Sequence, residues 1–247
     1  MKNPSLKTCR HVTTFCCFVV FLLSGVEKAF SQCTTDENLP DRNCDGVVTV
    51  VALGDSFVTG FGDRKLRGNG GYVVRAQARL PTSTLKAHGV AGLRTGALLK
   101  RIRSAFNGSG YEDMLADILT ADLVTIDIGR NDRWLFGPPQ KAYRNLKRIQ
   151  SLLANTVSEL QGTSPVVTIA VLMLPNRGSQ GPWVAELNEF IKASHSTSSP
   201  ADLRFDRVSK RLLSSDNLHP SSKGYRALAK VYARYITRRY PRHAAPF

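Results

Sequence analysis

Short apolar runs that alternate with helical segments constrain the fold of this chain most strongly. Residues 47–53 form a continuous run rich in β-branched side chains, which is typical of a strand buried on both faces. Further strands are predicted at 84–88, 123–128 and 166–172, with a short fifth strand at 203–205. Helices are predicted at 72–80, 97–106, 111–119, 141–160, 183–193 and 221–238. This alternation predicts an α/β domain over 47–240, whose parallel sheet is covered by helices on both faces.

The first 31 residues have the layout of a secretory signal peptide. A positively charged lead is followed by an unbroken apolar run at 15–23 and by small residues at a cleavage site after Ser31. An uncleaved membrane anchor is the alternative, but the apolar run is only about half of the ~20 residues that a spanning helix needs. We therefore expect a secreted or extracytoplasmic chain that has no transmembrane segment after cleavage.

Cleavage after Ser31 leaves two of the five cysteines, Cys33 and Cys44. An even pair in an oxidising compartment predicts a disulfide that ties down an N-terminal lead at 32–46. Two free thiols are the alternative.

The chain is strongly basic, with a formal net charge of +15. Residues 1–31 hold four basic residues and one acidic residue, so the mature chain keeps 30 basic and 18 acidic residues, or +12. The basic side chains are spread along the sequence, with a basic tail at 241–247, and none is interleaved with aromatic residues as in nucleic-acid-binding patterns. Solvated helix faces explain this charge most simply, and attraction to an anionic polysaccharide or a membrane lipid surface is the alternative.

Three side chains far apart in the sequence have the chemistry of a nucleophilic catalyst. Ser56 directly follows the first predicted strand, in Gly54-Asp55-Ser56, while Asp216 and His219 stand three residues apart before the last predicted helix. A serine nucleophile needs a base, and the base needs an orienting acid. The structural alternative is that Asp216 caps the last helix and His219 merely lies near it.

Two further positions offer donors for a developing oxyanion. Asn131 follows the strand predicted at 123–128, in Gly129-Arg130-Asn131-Asp132, and its amide can donate without carrying charge. Gly92 follows the second predicted strand, where a glycine can present an unobstructed backbone N–H. No Cys/His cluster with ligand spacing follows residue 31, so no metal or other cofactor is expected.

These positions together resemble the motifs of the SGNH, or GDSL-type, hydrolase family. The four blocks occur in the order of that family, as Gly54-Asp55-Ser56, Gly92, Gly129-Arg130-Asn131-Asp132 and Asp216 with His219-Pro220, and they span about residues 47–235. The resemblance implies a three-layer α/β/α sandwich with a flavodoxin-like parallel sheet, here of about five strands.

The resemblance also implies a role for each site residue. Ser56 would be the nucleophile, His219 the base and Asp216 its orienting acid. The backbone N–H groups of Ser56 and Gly92 and the side chain of Asn131 would form the oxyanion hole.

The function expected is that of an ester hydrolase that works through an acyl-enzyme. Candidate substrates are acetylated polysaccharides, lipids and small acyl esters. An acyltransferase that uses the same acyl-enzyme is one alternative, and a non-catalytic glycan- or surface-binding module on the same fold is another.

Overall fold

Four parallel strands form the sheet at the centre of the protein, whose structure is a computed structural model. The structure describes residues 41–42, 46–63, 70–135, 137–195 and 202–239. The strands are β1 (Val48–Gly54), β2 (Ser83–Gly89), β3 (Leu123–Asp127) and β4 (Val166–Ile169). They pair in the order β2-β1-β3-β4, and every pairing is parallel. The predicted α/β class with a parallel sheet is therefore confirmed.

Helices connect the strands and cover both faces of the sheet. The α-helices are α1 (Ser56–Thr59), α2 (Tyr72–Gln77), α3 (Thr95–Phe106), α4 (Glu112–Thr120), α5 (Pro139–Gln161), α6 (Gln180–Ser194) and α7 (Ser222–Arg239). Short 3-10 turns lie at Arg130–Leu135, Phe205–Arg207 and Lys210–Leu212. Among the residues that the structure describes, no helix is long and apolar enough to cross a membrane.

The side chains of β1 alternate between two separate hydrophobic cores. Val51 and Leu53 pack with α3, α5 and α6, whereas Val48, Val50 and Ala52 pack with α2 and α7. All five are completely buried. A strand with apolar residues on both faces needs helices on both faces, which explains why the run at 47–53 is continuous rather than alternating.

The predicted fifth strand at 203–205 is wrong, and the sheet has four strands among the residues that the structure describes. Arg204 makes only an isolated parallel bridge with Val171, and the chain enters a 3-10 turn at Phe205. The Arg204 guanidinium binds the carboxylate of Asp206 through two hydrogen bonds of 2.8 and 2.7 Å, which favours this tight turn over an extended backbone. The fourth strand also ends at Ile169 rather than at the predicted residue 172.

The order of the strands reverses direction at β1. The chain passes from β1 to β2 on one side, and β3 and then β4 lie on the other side of β1. Ligands of open α/β sheets bind at such a switch point, outside the carboxyl ends of the strands. Because Ser56 follows β1 and Asn131 follows β3, both residues lie at the carboxyl ends of these strands.

Some of the predictions fall outside the described residues. These are the signal peptide at 1–31, the disulfide between Cys33 and Cys44, and the basic tail at 241–247. They stay predictions.

Candidate active site

Ser56 stands on a sharp turn between β1 and α1. Gly54 ends the strand, and a Cβ atom there would lie only 2.3 Å from the carbonyl oxygen of Asp127 on β3, so no larger residue fits. Asp55 caps α1, because its carboxylate accepts a 3.0 Å hydrogen bond from the N–H of Phe57. This turn places Ser56 as the first residue of the helix, with a side chain that is almost fully buried.

The structure brings Ser56, His219 and Asp216 together. The Nε2 atom of His219 lies 2.9 Å from Oγ of Ser56, and its Nδ1 lies 2.6 Å from Oδ2 of Asp216. The imidazole therefore bridges the hydroxyl and the carboxylate. In the tautomer with the proton on Nδ1, that nitrogen donates to Asp216 and Nε2 accepts from the serine hydroxyl.

The loop that carries Asp216 and His219 is closed by its own hydrogen bonds. The N–H of Ser214 donates to the carbonyl of His219 at 2.7 Å, and Leu213 and Pro220 form an antiparallel bridge. Asn217, at the tip, has a φ of 58°, a left-handed conformation that asparagine tolerates better than most residues. These contacts within the loop fix the distance between Asp216 and His219.

The carboxylate of Asp216 is held in its charged form by several donors. Partial burial would raise its pKa, but hydrogen bonds from the Ser214 hydroxyl, from the His219 ring and from the N–H groups of Leu218 and His219 outweigh that effect. The pKa of Asp216 is therefore well below its usual value. Since these backbone N–H groups bind Asp216 within its own loop, the carboxylate does not cap α7, which begins at Ser222.

Gly92 and Asn131, the two other predicted donors, lie on adjoining loops. The amide Nδ2 of Asn131 donates a 3.0 Å hydrogen bond to the carbonyl of Leu93, the residue after Gly92. This bond fixes the amide orientation and leaves its second N–H available. Gly92 is exposed and has a φ of +74°, and its N–H donates to no described residue.

Asp132 fixes the spacing between these two loops. Its carboxylate accepts from the backbone N–H of Thr95 at 2.9 Å and from the hydroxyl of the same residue. The 3-10 turn that carries Asn131 is thereby bound to the start of α3, just after Gly92. Burial raises the pKa of Asp132 although both Thr95 bonds lower it.

A buried ionic cluster lies next to the turn that carries Ser56, and the sequence patterns did not predict it. Arg130 is 1% exposed; its Nη1 lies 2.8 Å from Oδ1 of Asp127 and 3.7 Å from Oδ2 of Asp55. Its guanidinium also stacks 3.7 Å above the ring of Phe57, the residue after Ser56. Arg130 thus joins the end of β3 to the turn that presents the nucleophile.

The cluster makes the charge of Asp55 dependent on Arg130. Burial raises the pKa of Asp55 to about 7, Arg130 lowers it, and the neighbouring Asp127 raises it. Because burying carboxylates without a cation is costly, Arg130 compensates for both. The sequence feature that could have predicted this cluster is Asp127, because a carboxylate at the end of an otherwise apolar strand needs a cation nearby.

A second missed residue, Asp63, connects the two sides of the site. Its carboxylate accepts two hydrogen bonds from Arg75 on α2, at 2.7 and 2.8 Å, and one from the N–H of Gly71. It also accepts from the hydroxyl of Ser222, the first residue of α7. Despite the opposing effect of burial, these donors lower the pKa of Asp63 to about 2. The segment after α1 is thereby tied to the helix that follows the His219 loop.

Phe61 forms one wall of the mouth of the site. Its ring centroid lies 4.7 Å from that of His219, and 54% of its surface is exposed. The carbonyl of Phe61 accepts a 2.9 Å hydrogen bond from the hydroxyl of Tyr225 on α7. Phe61 therefore shields one face of the imidazole and offers an apolar surface to a ligand.

The geometry places a serine, a histidine and an aspartate in one hydrogen-bonded line at the carboxyl end of a parallel sheet. The profile of the GDSL-like Lipase/Acylhydrolase family matches residues 52–227. The chain belongs to this family, which at family level is one of carboxylic ester hydrolases, and the resemblance found in the motifs is confirmed. No curated protein matches the chain.

Solved structures support the same fold. A lipolytic protein of the G-D-S-L family from Veillonella parvula aligns with a TM-score of 0.59 at 19% identity, over 76% of this chain and 98% of its own. A carbohydrate acetylesterase family member from Sinorhizobium meliloti aligns with a TM-score of 0.59 at 16% identity, over 77% and 97%. An aryl esterase from M. smegmatis aligns with a TM-score of 0.59 at 14% identity, over 76% and 97%. At these identities the likeness shows the fold alone.

Proposed function

We propose that the protein is a secreted serine esterase that removes small acyl groups, such as acetyl, from carbohydrates through an acyl-enzyme. The observation that carries the mechanism is the continuous hydrogen-bonded line from Ser56 through His219 to Asp216. The carbohydrate substrate is supported by similar structures described as a carbohydrate acetylesterase family member and an acetyl xylan esterase. Secretion is supported by the signal-like pattern of residues 1–31.

In the first half-reaction, Oγ of Ser56 attacks the ester carbonyl while Nε2 of His219 takes the hydroxyl proton. Asp216 stabilises the resulting imidazolium. The carbonyl oxygen becomes an oxyanion that accepts from the N–H groups of Ser56 and Gly92 and from the free N–H of the Asn131 amide. The C–O bond to the alcohol then breaks, and His219 returns the proton to the departing oxygen.

In the second half-reaction, water replaces the alcohol. His219 takes a proton from water, whose oxygen attacks the acyl carbon, and the same donors hold the second oxyanion. Collapse of this intermediate releases the carboxylic acid and restores the Ser56 hydroxyl. If a sugar hydroxyl attacked instead of water, the same site would transfer the acyl group, so product analysis with a competing sugar alcohol distinguishes hydrolase from acyltransferase.

The test is a panel of chromogenic acyl esters and acetylated polysaccharides with wild-type protein and Ser56→Ala. We expect the variant to fold but to lose at least about ten-thousandfold in kcat/KM, because the nucleophile is gone. Ser151→Ala is a matched control, since Ser151 is exposed on α5, and it should keep full activity. Wild-type rates in Ser56→Ala would refute the assignment, and glycan binding without hydrolysis by the wild type would favour a binding module.

A further inference from the structure

A cavity of about 330 Å³ is lined in part by residues that closely follow two of the proposed oxyanion-hole donors in the sequence. It opens between the first turns of α3 and α5 and the side of α6. Arg94 and Asp132 line it, and they stand two positions after Gly92 and one position after Asn131. The volume is within the range of about 300–1,000 Å³ that is usual for small-molecule sites.

Two cationic side chains, Arg94 and Lys141, line this cavity. Both lie near enough to Asp132 for their charges to lower its pKa, but neither side chain makes a hydrogen bond or a close ion pair with any described residue. The carboxylate of Asp132 is also in the wall, but both of its oxygens are bound by Thr95. The wall therefore carries more positive than negative charge, and the positive groups are the ones left with donors to spare.

The rest of the wall suits a sugar ring. The indole N–H of Trp183 donates to the carbonyl of Gly137 at 2.9 Å, so the aromatic ring itself remains as a flat apolar surface. Asn145 donates through Nδ2 to the hydroxyl of Thr95, and its carbonyl oxygen has no described donor. An aromatic surface, an amide oxygen and two cations in one cavity match a sugar that carries hydroxyls and an acidic group.

We propose that this cavity is a subsite for a carboxylate-bearing sugar residue of the substrate, in which Arg94 and Lys141 bind the carboxylate and Trp183 packs against the ring. The inference rests on the proposed esterase function, and it narrows the substrate to acylated acidic glycans. Arg94 presents a planar fork that fits a carboxylate, while Lys141 adds a second charge from α5.

The test compares two substrates that differ only at C6, a mono-O-acetylated methyl glucuronide and the matching methyl glucoside. We expect the wild type to prefer the glucuronide by about tenfold in kcat/KM, the effect of a hydrogen bond to a charged partner. Arg94→Gln and Lys141→Gln should each reduce this preference several-fold. Because the preference is a ratio measured on one protein sample, partial unfolding of a variant does not change it.

Arg144→Gln provides the control, because Arg144 is exposed on α5 close to Lys141 in sequence but does not line the cavity. It should leave the preference and both rates unchanged. Equal rates on the two substrates by the wild type, or a preference that survives both cavity substitutions, would overturn the subsite. Such a result leaves the esterase proposal intact as long as the neutral glucoside is hydrolysed and Ser56→Ala abolishes that hydrolysis.

Discussion

Ser56 and His219, the proposed nucleophile and base, lie on parts of the molecule that differ in burial and in the sequence range of their contacts. Ser56 follows a strand with neighbours on both sides, above an ionic cluster that is about 1% exposed. The Asp216 side chain, by contrast, is 40% exposed, and donors from its own loop hold it. One side of the site therefore depends on the folded sheet, whereas the other is organised mainly by local hydrogen bonds.

The two sides of the site should therefore contribute differently to activity and to stability. Substitutions in the loop of the base should remove activity and leave most of the stability. Substitutions beneath the nucleophile should lower stability as well, because they leave charges buried without partners.

His219→Ala should produce the largest loss. We expect kcat/KM on an acetate ester to fall at least about ten-thousandfold, since no other described group lies where it could accept the Ser56 proton. The free energy of unfolding should change by only about 1 kcal/mol, as His219 lies in a partly exposed loop. Ester kinetics and urea denaturation give the two numbers, and His195→Ala, at the residue after α6, is the control for activity. A variant within tenfold of wild type would exclude His219 as the base.

Arg130→Met should show the opposite balance, with a large effect on stability. Methionine keeps much of the apolar contact with Phe57 but leaves Asp55 and Asp127 without their cation, which should cost about 3–5 kcal/mol in the free energy of unfolding. Urea denaturation measures this loss, with Arg148→Met on the exposed face of α5 as the control. If Arg130→Met unfolds within about 1 kcal/mol of wild type, the cluster does not support the turn of the nucleophile.

Asp63→Asn should have a smaller, pH-dependent effect. The pKa of Asp63 is about 2 in the folded protein, below its ordinary 3.8, so its carboxylate stabilises the fold above about pH 4. That contribution is lost as the pH falls through the folded pKa. The shift corresponds to about 2 kcal/mol. Asp63→Asn should therefore be less stable than wild type at pH 7, and the gap should narrow between pH 4 and 2. A gap that stays constant over this range would show that the charge of Asp63 is not involved.

The sequence revealed the parts of this architecture that depend on local pattern. Continuous β-branched runs marked the strands, and turn residues after them marked the positions of Ser56 and Asn131. The predicted ends of helices were less accurate where proline lies at a helix start. Helix α5 begins at Pro139 rather than at 141, because proline is well suited to the first turn of a helix.

Features that depend on distant residues could not be predicted from the sequence. Arg130 pairs with its near neighbour Asp127, but nothing in the sequence shows that the distant Asp55 joins them in one buried cluster. Asp63 accepts hydrogen bonds from residues of two helices, and no pattern near it in the sequence predicts those donors. The residue at 204 was predicted in a strand, but its ion pair with Asp206 favours a turn.

Covalent labelling can show directly whether Ser56 is the reactive serine. A fluorophosphonate reacts with a serine whose hydroxyl is activated by a neighbouring base, so peptide mapping by mass spectrometry identifies the nucleophile. We expect one adduct, on Ser56, formed together with loss of esterase activity, and strongly slowed labelling in His219→Ala. An adduct on another serine, or full inactivation with Ser56 unmodified, would contradict this expectation.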